Sequence, residues 1–269
     1  MPKFISYMDV KVVVITGGTS GIGRALCDRF INENYKVVIA ARSQDKLLEV
    51  KNFYASLNQT LLTVKTDVRV ENDCKALVDK TIERHGSIDV FINNAGITWY
   101  EDEADGINVE KQKDLIDTNF FGVVYCTKYA LPHLLKSKGS LVGICSIAGE
   151  VGLPNRSAYS SSKFAMNGFL RSIRVQYLHS GLHVLNVYAG YTATNIRKTL
   201  KNNYSYLKLP LGYGNDKNMK SPELLADKIY RGIKKGRKCL RPTLRGNVTV
   251  FLNRVLPRFN DKLISRFYK

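Results

Sequence analysis

The sequence predicts an α/β chain: a doubly wound parallel sheet of about seven strands with helices on both faces, in a single domain over residues 1–269. Three observations predict it. Short β-branched, apolar runs alternate with longer segments of helical periodicity as far as about residue 190. That alternation is the spacing of consecutive strand–helix–strand units, which make parallel sheets. The first apolar run also leads into a glycine-rich turn that opens a helix.

Taken in order, KVVVITG (11–17) reads as a buried strand and residues 24–34 as the helix after it. YKVVIAA (35–41) is the second strand, followed by a charged helix through about residue 57. LLTVKTDV (61–68) is the third, and a helix over 71–85 leads to IDVFINNAG (88–96), the fourth. Two helices are expected at about 109–118 and 120–137. SLVGICS (140–146), a helix over 156–180 and HVLNVYAG (183–190) supply the fifth strand, its crossover and the sixth. Between 197 and 221 the periodicity fades into a long stretch rich in Asn, Gly, Pro and aromatics, expected to be a substrate loop. SPELLADKIYRGIKKG (221–236) is a punctuated helix: Ser221 caps it, Pro222 fits its first turn and Gly236 follows its end. RKCLRPT is the candidate seventh strand, and a basic extension covers about 245–269.

Composition narrows the function. No apolar run is long enough to span a bilayer, and the first ten residues lack the core of a secretory signal, so a cytoplasmic protein is expected. The five cysteines are scattered and lack CxxC spacing, which suits reduced thiols mostly in the core. The four histidines lack metal-ligand spacing; His179 and His183 are parted by Gly181, so no metal site is expected. Lys and Arg number 41 against 23 acids, a net charge of +18. That balance suits a phosphorylated cofactor or an anionic membrane. Nucleic acid is not expected as a partner, because no binding motif accompanies the charge.

The turn TGGTSGIG (16–23) carries the first chemical signal. Its glycines let the backbone approach a diphosphate, and the helix N-terminus offers unpaired N–H groups and a positive dipole end. The residues expected at the cofactor are Gly17, Thr19, Ser20, Gly21, Ile22 and Gly23. The second strand ends in AARS, with Arg42 and Ser43 where a carboxylate would bind a ribose 2′-hydroxyl. Arg42 can pair with a 2′-phosphate, so NADP (NADPH) is expected over NAD.

The second signal is Tyr159, followed four positions later by Lys163. Residues four apart share a helix face. A free phenol has a pKa of about 10, too high for easy proton exchange at neutral pH, and a neighbouring ammonium favours its charged form. The intervening Ser160, Ser161 and Ser162 leave room for a flat cofactor.

TGGTSGIG, NNAG (93–96), Asn119 in DTNFFG, Ser146 and YSSSK (159–163) together resemble the short-chain dehydrogenase/reductase family, over about residues 10–195. The resemblance implies a Rossmann fold and an oxidoreductase acting on a ketone or secondary alcohol. It implies Tyr159 as the proton donor, Lys163 as its activator and ribose anchor, Ser146 as the group orienting the substrate oxygen, and Asn119 as the holder of a relay water. It also implies that Asp67 and Val68 lie at the adenine, and that Asn93 and Ala95 line the cofactor site. The family's P-G-x-x-x-T after strand six is here AGYTAT (189–194): Gly190 stays at the cofactor site, and the resemblance implies that Thr192 and Thr194 hold the carboxamide. Some NADPH-using members carry a basic residue just before the second glycine of the turn; here it is Ser20. A non-catalytic nucleotide-sensing or scaffold relative is the alternative, but such relatives usually lose the tyrosine or the lysine, and this chain keeps both. A homo-oligomer, dimer or tetramer, is implied.

Trp99, Tyr100, Val151, Leu153, Tyr191, Tyr204, Tyr206 and Leu207 are the expected pocket lining, apolar enough for a steroid-like or long-chain lipid ketone. In the extension, Val248, Phe251, Val255, Phe259, Leu263 and Phe267 recur at near-helical spacing among Arg254, Arg258, Lys262, Arg266 and Lys269. Such a stretch can lie on an anionic surface, which gives a peripheral contact at the inner membrane surface, or it can pack on its own domain. Pro257 should kink it. The run TNIRKT and the basic extension are similar to bacterial members near the hydroxysteroid and 3-ketosphinganine reductase branches.

Overall fold

A computed structural model describes residues 10–57, 59, 61–100, 106–190 and 221–267. The strands β1 (Val12–Thr16), β2 (Lys36–Ala41), β3 (Leu62–Lys65), β4 (Val90–Asn93), β5 (Ser140–Ser146), β6 (His183–Ala189) and β7 (Cys239–Leu240) form one sheet in the order β3-β2-β1-β4-β5-β6-β7. Every pairing is parallel. Strand order reverses between β1 and β4, which opens a crevice at the carboxyl ends of those strands.

All five residues of β1 are buried, and they alternate between two cores. Val13 and Ile15 face a layer of α1 (Gly21–Ile31), α2 (Gln44–Ser56) and α7 (Pro222–Lys234). Val12 and Val14 face α3 (Glu71–His85), α5 (Gly122–Ser137) and α6 (Ser157–Gln176). Leu26 and Phe30 on the first side, and Leu77 and Leu134 on the second, are fully buried. Each is worth about 1.5–3 kcal/mol of transfer free energy.

The two helices expected over 109–137 are one almost continuous run. α4 (Val109–Ile116) passes through a wide π turn, Asp117–Phe121, straight into α5. The residues between are all helix-compatible, so nothing breaks the run, and the turn takes up the irregularity. Gly122 follows it because a Cβ there would come within 2.8 Å of the Val68 side chain. α6 stops four residues before the expected position 180. The Ser180 hydroxyl donates to the Tyr177 carbonyl (2.8 Å) and accepts from the Leu182 amide (3.2 Å), and Gly181 is left-handed at φ +86. These local bonds replace the helical ones.

Four of the five cysteines are buried free thiols, and Cys239 is exposed. The C-terminal extension is two helices, α8 (Leu244–Val255) and α9 (Pro257–Phe267). Pro257 starts the second helix instead of kinking a single one, as its fixed φ favours. The pair packs on its own domain: Val250 and Ile264 are buried against Val151, with Ile147 and Leu153 beside them. Of the apolar row read from the sequence, Val248, Phe251, Val255 and Phe259 point outward and are exposed, as are Leu244 and Leu256, while Leu263 is half-buried and the Phe267 side chain lies outside the described ones. No described helix is long and apolar enough to cross a membrane.

Candidate active site

The glycine turn is fixed by hydrogen bonds with the loop that follows β4. Thr16 Oγ1 accepts from the amides of Asn94 and Ala95 (both 3.0 Å), while Asn94 Nδ2 donates to the carbonyls of Thr16 (2.8 Å) and Gly17 (3.1 Å). Asn94 therefore stitches the turn after β1 to the loop after β4, a role that sequence reading left unassigned. Gly17 is left-handed at φ +67. A Cβ at Gly23 would come within 2.2 Å of the Gly17 carbonyl oxygen, so the helix can enter the turn this closely only with glycine there.

Ser20 caps α1 with no side-chain bond to the helix and is exposed, and the first turn of α1 carries no acidic residue. That end is open to an anion. Thr19, Gly21 and Ile22 sit partly exposed around it. Arg42 is exposed at the end of β2, and Ser43 caps α2 by accepting from the Lys46 amide (3.3 Å). Hydrogen bonds from Arg69 hold the Asp67 carboxyl below the usual carboxylate range, with Nη2 at 2.7 Å and Arg42 adding a weaker attraction. The carboxylate expected at the adenine thus has a standing partner, Arg69. Val68 is buried beside it. Asn93 is 2% exposed, and its Nδ2 has no partner among the described residues. The glycine cradle, the open helix end and the spare amide fit a dinucleotide. Gly190 lies against Thr243, where a Cβ would come within 3.0 Å of Thr243 Cγ2. Thr192, Thr194, Tyr191, Tyr204, Tyr206, Leu207, Lys269 and the substrate loop up to residue 220 lie outside the described residues.

Of the four expected catalytic residues, Tyr159 and Lys163 lie together, Asn119 comes close to Lys163 beside Gly96, and Ser146 ends β5. Lys163 is 5% exposed; its Nζ donates to the Ile144 carbonyl (3.0 Å) and lies 5.8 Å from the centroid of the Tyr159 ring. Asn119 sits in the π turn, fully buried. Its Oδ1 accepts from the Ile97 amide (2.9 Å), and its Nδ2 donates to the Ile97 carbonyl (2.9 Å) and to Ser162 Oγ (3.0 Å). Both side-chain donors are therefore occupied. Gly96 lets the two groups meet: a Cβ there would stand 2.9 Å from Asn119 Oδ1 and 3.5 Å from Lys163 Nζ. Ser146 ends β5, and its Oγ accepts from the Ala148 amide (3.2 Å). That bond leaves the hydroxyl hydrogen available to donate elsewhere.

One neighbour was not legible in the sequence. Arg156 is 8% exposed, donates to Thr98 Oγ1 (2.8 Å) and lies 4.8 Å from the centroid of the Tyr159 ring. Two cations therefore flank this phenol. Of the expected lining, Trp99 and Leu153 are partly exposed, whereas Tyr100 and Val151 are buried, Val151 against Val250 and Ile264. A cavity of about 360 Å³ lies between Leu153, Pro154 and Ser157 on one side and Asp261, Ile264 and Ser265 of α9 on the other.

Comparison with known proteins agrees with this fold. The family profile described as short chain dehydrogenase matches residues 11–205. An Arabidopsis thaliana protein, 11-beta-hydroxysteroid dehydrogenase-like 4A, is 38% identical over 67% of the chain. The chain spans 60% of the length of that relative. A Dictyostelium discoideum dehydrogenase/reductase SDR family protein 7-like is 32% identical over 96% of the chain and 81% of its own length. Among solved structures, a single-residue variant of actinorhodin polyketide ketoreductase with NADPH superposes with a TM-score of 0.78 at 26% identity, covering 86% of this chain and 95% of that one. ElxO with NADP bound gives 0.76 at 26% identity, covering 86% and 96%.

Proposed function

Because the chain belongs to the short-chain dehydrogenase/reductase family, near its hydroxysteroid branch, we propose that it uses NADPH to reduce a bulky, lipid-like ketone to a secondary alcohol. The observation that carries this reading is the placement of Tyr159 and Lys163 one turn apart on α6, with the ammonium 5.8 Å from the ring. Bound nicotinamide dinucleotide supplies the hydride. Ser146 donates its free hydrogen to the carbonyl oxygen and holds it toward Tyr159. As negative charge grows on that oxygen, the Tyr159 hydroxyl hands over its proton, and Lys163 stabilises the phenolate left behind. Lys163 also anchors the ribose, and the buried Asn119 holds the relay water through its oxygen. Preference for the phosphorylated dinucleotide rests on Arg42, and the relatives solved with NADPH and with NADP support it.

The outward row on α8 and α9 supports a second part of the reading. Phe251 is 63% exposed and Phe259 55%, and Arg245, Arg254, Arg258, Lys262 and Arg266 of the same two helices are exposed as well. Exposed apolar side chains and exposed cations on the same two helices suit an anionic bilayer, the place where a lipid-like ketone would be found. Self-association into a dimer or tetramer is also expected, with the exposed rings of Phe121 and Phe164 as apolar contact area.

Tyr159→Phe tests the core of the proposal. A positioned acid contributes about 10²–10⁴-fold, so turnover should fall by that factor while NADPH still binds. Undiminished turnover would remove Tyr159 as the proton donor.

A further inference from the structure

Behind the four site residues runs a chain of polar groups that the reaction itself does not use. Asn167 lies one turn beyond Lys163 and two beyond Tyr159, on the same face of α6. It is 6% exposed. Its Nδ2 donates to the Gly149 carbonyl (3.0 Å), in the short turn that follows Ser146. Its Oδ1 accepts from Asn186 Nδ2 (3.0 Å) and from the Tyr188 hydroxyl (2.7 Å), both on β6. Burial pushes the Tyr188 phenol up to about 12, so it remains a donor across the working pH range.

The Tyr188 ring carries the next link: the Arg241 guanidinium stacks 4.6 Å from its centroid. Arg241 then grips Glu150 with two bonds of 2.6 Å, from Nε and from Nη2. The Glu150 side chain is only 4% exposed, and Arg254 adds a third contact at 3.3 Å. The Glu150 amide donates to the Ile147 carbonyl (2.9 Å), which closes the circuit on the turn it started from. The turn has little slack, since a Cβ at Gly149 would come within 2.7 Å of the Lys163 carbonyl oxygen.

We propose that Asn167, Tyr188, Glu150 and Arg241 are positioning residues: one buried polar strut that sets the turn after Ser146 against the helix bearing Tyr159 and Lys163. A filler role would be met as well by apolar side chains, which need no matched partners. These four groups instead join elements distant in sequence, and the series of contacts that links them starts and ends on the turn. A misplacement of about 1 Å at a reacting centre can cost about 10²-fold, so small slips of this turn should register in the rate. The kinetic consequence rests on the site reading above; the strut itself does not.

The experiment uses Asn167→Ala, Glu150→Gln and the milder Tyr188→Phe in the full chain, with Tyr159→Phe as reference. Against a ketone substrate, kcat should fall about 5–20-fold in Asn167→Ala and about 3-fold in Tyr188→Phe. NADPH affinity should stay within about 2-fold, and the isotope effect with 4-deuterated NADPH should change. The double variant Asn167→Ala/Glu150→Gln should lose much less than the product of the single losses, because the first cut already breaks the strut. Amides 147–151 should exchange at least about 10-fold faster in Asn167→Ala, with the glycine turn at 17–23 unchanged. Unchanged exchange at 147–151, or additive losses shared equally by kcat and NADPH affinity, would overturn the proposal. If Tyr159→Phe keeps full turnover, the site reading fails, and the exchange pattern alone then decides whether the strut exists.

Discussion

The glycine turn at 16–23 and the α8–α9 pair are both shaped by close contacts, but of different kinds. In the turn, each constraint acts on the backbone itself, as sterics or as a hydrogen bond to it: Gly23 against the Gly17 carbonyl, the Asn94 side-chain amide on the carbonyls of Thr16 and Gly17. In the helix pair, a few side chains decide which face turns inward: Val250 and Ile264 against Val151. Contacts of the first kind leave a fixed residue pattern in the chain. Contacts of the second leave only an amphipathic period, which says that a face exists and not which way it points.

The largest expected effect breaks the first region. Gly23→Ala puts a methyl group onto the Gly17 carbonyl. Overpacking costs about 1–3 kcal/mol or more, so NADPH affinity should fall up to about 100-fold, read by fluorescence titration. Unaltered binding would mean that the turn can open without cost. Next, Arg42→Ala should weaken NADPH about 10-fold and leave NADH unchanged, since one charge-assisted bond is worth about 1.5–3 kcal/mol. Equal losses would return cofactor choice to the hydroxyls of Ser20 and Ser43. A smaller effect sharpens the second region: Phe251→Glu with Val255→Glu should cut partitioning onto phosphatidylserine vesicles about 10-fold without moving Tm. If instead partitioning holds and Tm falls, the outward row is a covered interface.

The smallest effect concerns pH. An unfolded phenol loses its proton near pH 10, whereas burial holds the folded Tyr188 to about 12. Above about pH 10 the unfolded chain thus binds fewer protons than the folded one, and stability drops as pH rises from about 10 to 12. Tyr188→Phe should remove that part of the drop in urea midpoints measured across the interval.

What was legible follows the same division. The helix over 71–85 and the strand over 140–146 lie where the pattern put them, because periodicity and turn residues bound both ends. Motif spacing singled out Ser146, Asn119, Tyr159 and Lys163, and the one-turn pairing of Tyr159 with Lys163 was legible in it. The π turn was not, because no residue marks a wide turn. Arg156 beside Tyr159, and Asn167 and Arg241 behind the site, were equally hidden. Each acts through a partner distant in sequence or through packing that no local pattern encodes. The extension shows the cost of periodicity alone: its apolar row was found, and its direction was left between two readings.

The cavity between Leu153 and Ile264 has walls contributed by segments more than a hundred positions apart. Its width can therefore be retuned from the far wall. Ser157 and Ser160 on its near wall belong to the helix that carries Tyr159, so a bulkier or smaller side chain at position 264 would resize, from the side of α9, a hollow that the helix of the phenol itself helps to line.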